Sequence, residues 1–300
     1  MLENIHDEKK QMDAECCCCC ETPKVVKIRD CRCGGHKQLE SSLYETIKNA
    51  GTKCTQFFLG GATDYYCARV TKKDKEITRQ YCTDENKTFY VHCPLILNLA
   101  KNEVAQKGVT LLKKEIEIVH GLPGACVLHI GKVGTIENVA TRINELNLSI
   151  SSEFNMGYDL LLEVAAGQGT ELGKNLHEIR HLYEAIDRTR VGLCVDTQHI
   201  FASGVANLQS HESVVELFDF FDSISPKILS LIHINDSAKD FASRVDRHAP
   251  LCSGYIWRSQ GLDGLHSILD IATDKSIDLI SETSDPISDI NYINTYIKSL

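Results

Sequence analysis

Short runs of β-branched and aliphatic residues alternate along this chain with longer stretches whose apolar positions recur at helical spacing. The candidate strands cover residues 25–29, 54–59, 88–92, 126–130, 160–164, 192–196, 229–234 and 277–282. Between them, Leu39, Leu43, Ile47 and Ala50 lead to Gly51, a helix-stop signal. Val109, Leu112, Ile116 and Val119, and later Val214, Leu217, Phe218 and Phe221, repeat the pattern. Strands separated by helices run parallel, because no tight turn returns the chain to the same end of a sheet. Two architectures satisfy that rule, a closed (β/α)8 barrel and an open doubly wound sheet.

Six of the runs end on or contain near their end a side chain that can bind metal: His92, His129, Glu163, Asp196, His233 and Glu282. In a barrel all strand C-termini converge on one mouth, whereas in an open sheet the outer strands are too far apart to share a pocket. The distribution therefore predicts a TIM (β/α)8 barrel of the α/β class. A chain of 300 residues is long enough for one such unit, and 43% hydrophobic and 24% charged residues are ordinary for a soluble protein. Residues 24–300 are expected to form a single barrel domain, with no linker long enough to divide them. Residues 1–23 are expected to be a disordered tail carrying five consecutive cysteines at 16–20. Adjacent cysteines are poorly placed to pair, and the polar N-terminus lacks a secretory core, so a disulfide framework is not expected among the 14 cysteines. No run approaches the ~20 apolar residues of a membrane helix, and the expected location is intracellular.

The densest polar signatures lie between Val191 and His248. Adding His199, Asp246 and His248 to the strand-end residues gives five histidines and four carboxylates. Imidazole mixed with carboxylate, without cysteine, is the donor set of catalytic rather than structural zinc. Each member alone has an ordinary explanation: a buried histidine is usually a hydrogen-bonded core residue, Asp196 could cap a helix, and Glu282 could pair with an arginine. Their shared place at strand ends changes the balance, since buried charges are costly unless paired or metal-bound. Mononuclear catalytic zinc takes three protein ligands, so nine donors point to several ions, an arrangement suited to phosphoryl transfer. The net charge of −9 argues against a generally basic nucleic-acid surface but not against a local, metal-bearing phosphate site. The polar stretch 243–259 is expected to be a loop at the mouth.

Several motifs occur together in order: Val-His92-Cys-Pro-Leu-Ile-Leu-Asn98, Leu-His129-Ile-Gly131, Leu-Glu163-Val-Ala-Ala-Gly167-Gln168-Gly169, Cys194-Val-Asp196-Thr-Gln-His199, His233-Ile-Asn235-Asp236-Ser, Ser243-Arg-Val-Asp246-Arg247-His248 and Ser-Glu282-Thr. This set resembles the endonuclease IV family of apurinic/apyrimidinic (AP) endonucleases over roughly residues 25–300, and looks closest to members carried by large DNA viruses. The resemblance implies three zinc ions held by His92, His129, Glu163, Asp196, His199, His233, Asp246, His248 and Glu282. It implies that Glu163 bridges the zinc pair holding the attacking hydroxide, and that Asp246 and His248 hold the third ion. Arg247 is a candidate phosphate contact. The implied reaction is hydrolysis of the phosphodiester 5′ to an abasic site in duplex DNA, leaving a 3′-hydroxyl, with trimming of blocked 3′ ends. A monomer acting in a host cytoplasm or nucleus, or packaged in a virion, is expected if the source is viral.

The chain departs from the family pattern at three places. No histidine is evident in the first-strand stretch from Ile28 to Gly35; Ile130 replaces a proline; and Leu95 with Ile96 stands where bacterial members place an aromatic that enters the base stack. An apolar wedge can still open a base step. Leu95, Ile96, Lys132, Arg244 and Arg247 are the candidate DNA contacts, with Arg258 also near the mouth. The Gly167-Gln168-Gly169 turn is either a phosphate cradle or only a tight connection. Two other readings stay open: a metal-dependent sugar isomerase or epimerase on a related barrel, and a catalytically silent DNA-binding or virion protein.

Overall fold

The computed structural model describes residues 32–149, 157–258 and 261–299. Its strands are β1 (Cys33–Lys37), β2 (Cys54–Phe57), β3 (Thr88–His92), β4 (Gly124–His129), β5 (Leu160–Glu163), β6 (Val191–Asp196), β7 (Leu229–His233), the short β8 (Asp236–Ser237) and β9 (His248–Ala249), and β10 (Asp278–Ser281). All but β8 and β9 form a closed barrel in the order β1-β10-β7-β6-β5-β4-β3-β2, with every neighbouring pair parallel. The helices are α1 (Leu43–Ala50), α2 (Lys72–Asp84), α3 (Asn102–Val119), α4 (Ile136–Ser149), α5 (Leu176–Ala185), α6 (Thr197–Ser203), α7 (His211–Ile224), α8 (Leu262–Lys275) and α9 (Pro286–Ser299). The expected TIM barrel is thus the observed one. Among the described residues no helix is long and apolar enough to cross a membrane.

Local chemistry starts the helices where the strands hand over. Ser42, Thr71, Asn175, Asp196 and Ser210 each accept a hydrogen bond from a backbone N–H of the following first turn. Gly51 stops α1 at φ 70°. Buried Val214, Leu217, Phe218 and Phe221 give α7 its inward face.

The strands alternate strictly between two apolar compartments. Outward residues such as Phe57, Val91, Leu128, Leu162, Val195 and Ile232 pack beneath the helices. The alternate positions Cys54, Tyr90, Val127, Leu161, Cys194, Leu231 and Ile280 form a separate cluster that fills the lumen. At its N-terminal end, buried Asp278 accepts from Arg32 Nε at 2.7 Å and Tyr90 Oη at 2.8 Å.

The first barrel strand corrects the sequence reading. The apolar run 25–29 lies outside the described residues, as does the cysteine run, and the position beside β10 and β2 is taken by Cys-Gly-Gly-His-Lys. Glycine weakens a strand signal, but it is demanded here: a Cβ on Gly34 would stand 1.7 Å from the Cys54 carbonyl oxygen.

Glu115 on α3 is fully buried, and neither carboxylate oxygen makes a hydrogen bond among the described residues. Burial pushes its carboxyl up to about 7, against the opposing effects of Cys93 and His92. A raised folded-state value favours folding below the unfolded carboxyl pKa, and that advantage is lost as pH climbs towards 7. The change amounts to about 3 kcal/mol at one unit per ~1.4 kcal/mol. The stability of the wild type relative to Glu115→Gln, from urea unfolding, should therefore fall by this order between pH 5 and pH 8, over and above the pH dependence that the histidines of the mouth give to both proteins. An equal pH dependence in the two proteins would contradict the assignment.

Candidate metal centre

The lumen cluster explains how the site is built. Moving two residues along each strand keeps a side chain on the inner face and raises it one layer towards the mouth. From Tyr90 that step reaches His92, from Val127 His129, from Leu161 Glu163, from Cys194 Asp196, from Leu231 His233, and from Ile280 Glu282. The apolar layer is the floor on which these polar side chains stand. His199 arrives from α6, and Asp246 and His248 from the segment after β7.

The side chains sort into groups around Glu163. Its Oε2 lies 3.4 Å from His92 Nε2 and 3.2 Å from His129 Nε2. Its Oε1 lies 3.1 Å from His233 Nδ1, which is also 3.0 Å from Glu282 Oε2 and 4.0 Å from Asp196 Oδ2. Farther round the mouth, His248 Nε2 is 3.4 Å from both Asp196 Oδ2 and Asp246 Oδ1, and His199 Nε2 is 3.5 Å from Asp246 Oδ2. Three donor groups result, each able to hold a metal ion: His92, His129 and Glu163; Glu163, Asp196, His233 and Glu282; and Asp196, His199 and His248. Asp246 stands against the third.

Two observations fit metal better than plain ion pairing. Ligand atoms 2.0–2.1 Å from a tetrahedral zinc stand about 3.3–3.4 Å apart, close to the separations found here. Glu163 Oε2, His199 Nε2 and His248 Nε2 are buried without any hydrogen bond among the described residues, a costly arrangement unless they share a cation.

The electrostatics carry the same demand. Burial alone would push the Glu163 carboxyl up, but His129 and His233 override it and hold it well below the usual range. His233 does the same for half-buried Glu282. Burial opposes a proton on His199, yet Asp196, Asp246 and Glu163 outweigh it and push that imidazole well up. The carboxylates thus create a field that calls for positive charge, which divalent ions satisfy without protons.

An outer layer aims the ligands. His92 Nδ1 lies 2.7 Å from the Cys93 carbonyl and His199 Nδ1 2.8 Å from that of Val164, leaving each Nε2 for the centre. His233 is turned the other way: its Nε2 is 2.9 Å from Gln56 Oε1, so Nδ1 faces the ligands. Gln56 also donates to Glu282 Oε1 at 2.6 Å, and Asn235 donates to Asp196 Oδ2 at 2.7 Å while accepting from the Glu282 amide at 2.9 Å. Asp236 is architectural, since it accepts from the amides of Ser237, Gly254 and Ile256 and ties down the long loop. That loop lies on α6: the amides of Ala242 and Arg244 donate to the carbonyls of Phe201 and Ala202, and Ala242 and Arg244 adopt positive φ.

The sequence reading missed His36, Gln56 and the part played by Asn235. His36, near the end of β1, lies 3.8 Å from Glu282 Oε1 and supplies the first-strand histidine just beyond the stretch that lacks one. The signal was present, as His36 stands two residues beyond lumen-facing Gly34, but the glycines hid the strand. Gln56 obeys the same rule from Cys54 and lacks only a charge.

The candidate DNA contacts lie on mouth loops with different accessibility. Leu95 is 50% exposed, whereas Ile96 is half-buried and its carbonyl accepts from Tyr65 Oη. Lys132, Arg244 and Arg247 differ from it in offering charge at the rim. Arg258 donates to the Gly254 carbonyl and stacks 4.1 Å over Tyr255, so it is engaged within its own loop. In the Gly167-Gln168-Gly169 turn the Gln168 amide donates to Glu171 at 2.8 Å, and a tight connection accounts for it.

With this geometry in view, the chain matches the model of the xylose isomerase-like TIM barrel family over residues 44–287. It is 31% identical to an endonuclease 4 relative from Halothermothrix orenii over 84% of this chain and 93% of the relative. A putative endonuclease 4 from Acanthamoeba polyphaga mimivirus is 30% identical over 89% of each chain. The chain belongs to the endonuclease IV family. Endonuclease IV from Thermus thermophilus shares the fold, with a TM-score of 0.74 at 22% identity over 90% of this chain and all of that one. Membership makes the protein an enzyme of the AP endonuclease class.

For this family member, truncating an outer-layer residue should loosen metal without unfolding the barrel. Asn235→Ala is expected to weaken retention about 10- to 100-fold in competition with a chelator. Unchanged retention would remove Asn235 from the support of Asp196 and Glu282.

Proposed function

We propose that this endonuclease IV family member is a three-zinc enzyme that hydrolyses the phosphodiester 5′ to an abasic site in duplex DNA, leaving a 3′-hydroxyl, and that it also trims blocked 3′ ends. The observation that carries this reading is the joining of the donor groups through shared carboxylates, with Glu163 common to two of them and Asp196 to two. Zinc bound there would supply water of lowered pKa and neutralise charge on a phosphodiester oxygen. Glu163 presents one oxygen to each of two groups, the geometry of a bridging ligand. Asp246 stands 3.5 Å from His199 Nε2 and 3.4 Å from His248 Nε2, and with His248 it would hold the third ion. The apolar layer below excludes water from beneath the reacting atoms.

The sugar isomerase reading uses one or two ions and leaves His199, Asp246 and His248 without a shared task. A silent binding protein has no need to keep so many buried, unpartnered donors. For DNA, the mouth offers a second support. Of the exposed large apolar side chains among the described residues, Tyr66, Leu95, Val133, Phe241 and Tyr255 lie on loops that follow β2, β3, β4 and β7. The Leu95 amide donates to the Ala62 carbonyl at 2.8 Å, which holds the loops of Leu95 and Tyr66 together. Lys132, Arg244 and Arg247 supply positive charge to phosphates. The protein would act as a monomer on duplex DNA inside the cell, or in the infected cell if its source is viral.

The test is incision of a duplex carrying a tetrahydrofuran abasic analogue. Zinc-loaded protein should cut 5′ to the lesion, chelation should abolish cutting and added zinc restore it, and Glu163→Ala should stay folded but inactive. An intact duplex after incubation with the loaded enzyme, or full activity in the variant, would sink the proposal. For recognition, Tyr66→Ala should raise KM for the duplex roughly tenfold with kcat little changed, since one base–aromatic stack contributes ~1–3 kcal/mol. An unaltered KM would place Tyr66 outside the DNA surface.

A further inference from the structure

On the outside of the barrel, α5 carries the sequence His177-Glu178-Ile179-Arg180-His181. Histidines at i and i+4 share one helix face, and this spacing places two imidazoles where they can hold one ion. Buried Ile179, Leu182 and Tyr183 face the core, which leaves His177 and His181 on the solvent side. Their rings stand 6.4 Å apart at 82°. Glu137, in the first turn of α4, reaches across so that its Oε1 lies 3.5 Å from His181 Nε2.

We propose that His177, His181 and Glu137 form a peripheral site for a divalent transition metal, zinc in the first instance, separate from the centre in the mouth. The separation of His181 and Glu137 is already close to the edge of a zinc tetrahedron, about 3.3–3.4 Å. The three ligand atoms do not yet converge in this structure, but His177 is exposed and no hydrogen bond among the described residues fixes it, so a change of its side-chain rotamer would complete the set, with water in the fourth position. An exposed His–Glu pair alone contributes little to stability, ~0–1 kcal/mol, and leaves the second histidine unexplained. A chelate gives all three residues one role.

The second residue of the motif shows what the site is not for. Glu178 accepts from the Gly173 amide at 2.8 Å and from Asn175 Nδ2 at 2.9 Å, so both carboxylate oxygens serve the start of α5. It is not available as the general base that the same spacing supplies in metal-dependent peptide hydrolysis. The bound ion is structural. It ties α4 to α5, the helices that follow the strands carrying His129 and Glu163.

The test compares full-length protein, its mouth centre loaded, with the His177→Ala/His181→Ala double variant after dialysis against low-micromolar free zinc. The double variant should retain one zinc fewer per chain and cut abasic-site duplex at the wild-type rate, and Glu137→Gln should weaken the extra ion about tenfold by removing one charged ligand. Further zinc should raise the melting temperature of the wild type but not of the double variant. Equal zinc content in the two proteins would overturn the proposal. So would loss of zinc accompanied by loss of incision, because the residues would then act on the mouth centre.

Discussion

Glu163 is the residue on which the organisation of the mouth depends. A carboxylate fully buried at a strand end, with one oxygen lacking any hydrogen-bond donor among the described residues, is unstable unless positive charge stands close by. Three imidazoles within 3.4 Å mark where that charge belongs. Because the two oxygens point to different donor groups, Glu163 also makes those groups neighbours. His92 and His129 on one side, and His233 and Glu282 on the other, are arranged about this single side chain.

That arrangement rests on barrel closure. The inner faces of the strands carry an apolar layer from Cys54 and Tyr90 round to Leu231 and Ile280, and the next inward residue of each is polar. The apolar layer stabilises the closed sheet and supplies a dry floor, while the layer above it is left to chemistry. Outer-layer hydrogen bonds then select which imidazole nitrogen faces inward. His233 differs from His92 and His199 in this respect because Gln56, on β2 across the lumen, takes its Nε2.

Much of this is legible in the chain alone. The alternation of strands and helices, and polar residues ending apolar runs, point to a parallel barrel and to His92, His129, Glu163, Asp196, His233 and Glu282, because burial on an inner strand face leaves a period-two trace. Gly34 and Gly35 conceal β1, and with it His36, since a glycine selected for close backbone approach carries no apolar signal. Gln56 and Asn235 are hidden for another reason. An amide on a strand end is chemically ordinary until its partners are known, and those partners lie far away in sequence. Exposure is equally silent in the chain: Leu95 and Ile96 are neighbours of like chemistry, yet Leu95 is exposed and Ile96 half-buried.

By itself, then, the sequence determined the types and order of the elements and the donor chemistry at their ends, because these follow from local periodicity and side-chain identity. Only the tertiary structure decided which donors share a group, which nitrogen each histidine presents, and that Glu163 and Asp196 each serve two groups. Those properties depend on the stagger of strands around a closed sheet and on contacts between residues such as Gln56 and His233, 177 positions apart. Local pattern cannot encode such distances; closure of the barrel creates them.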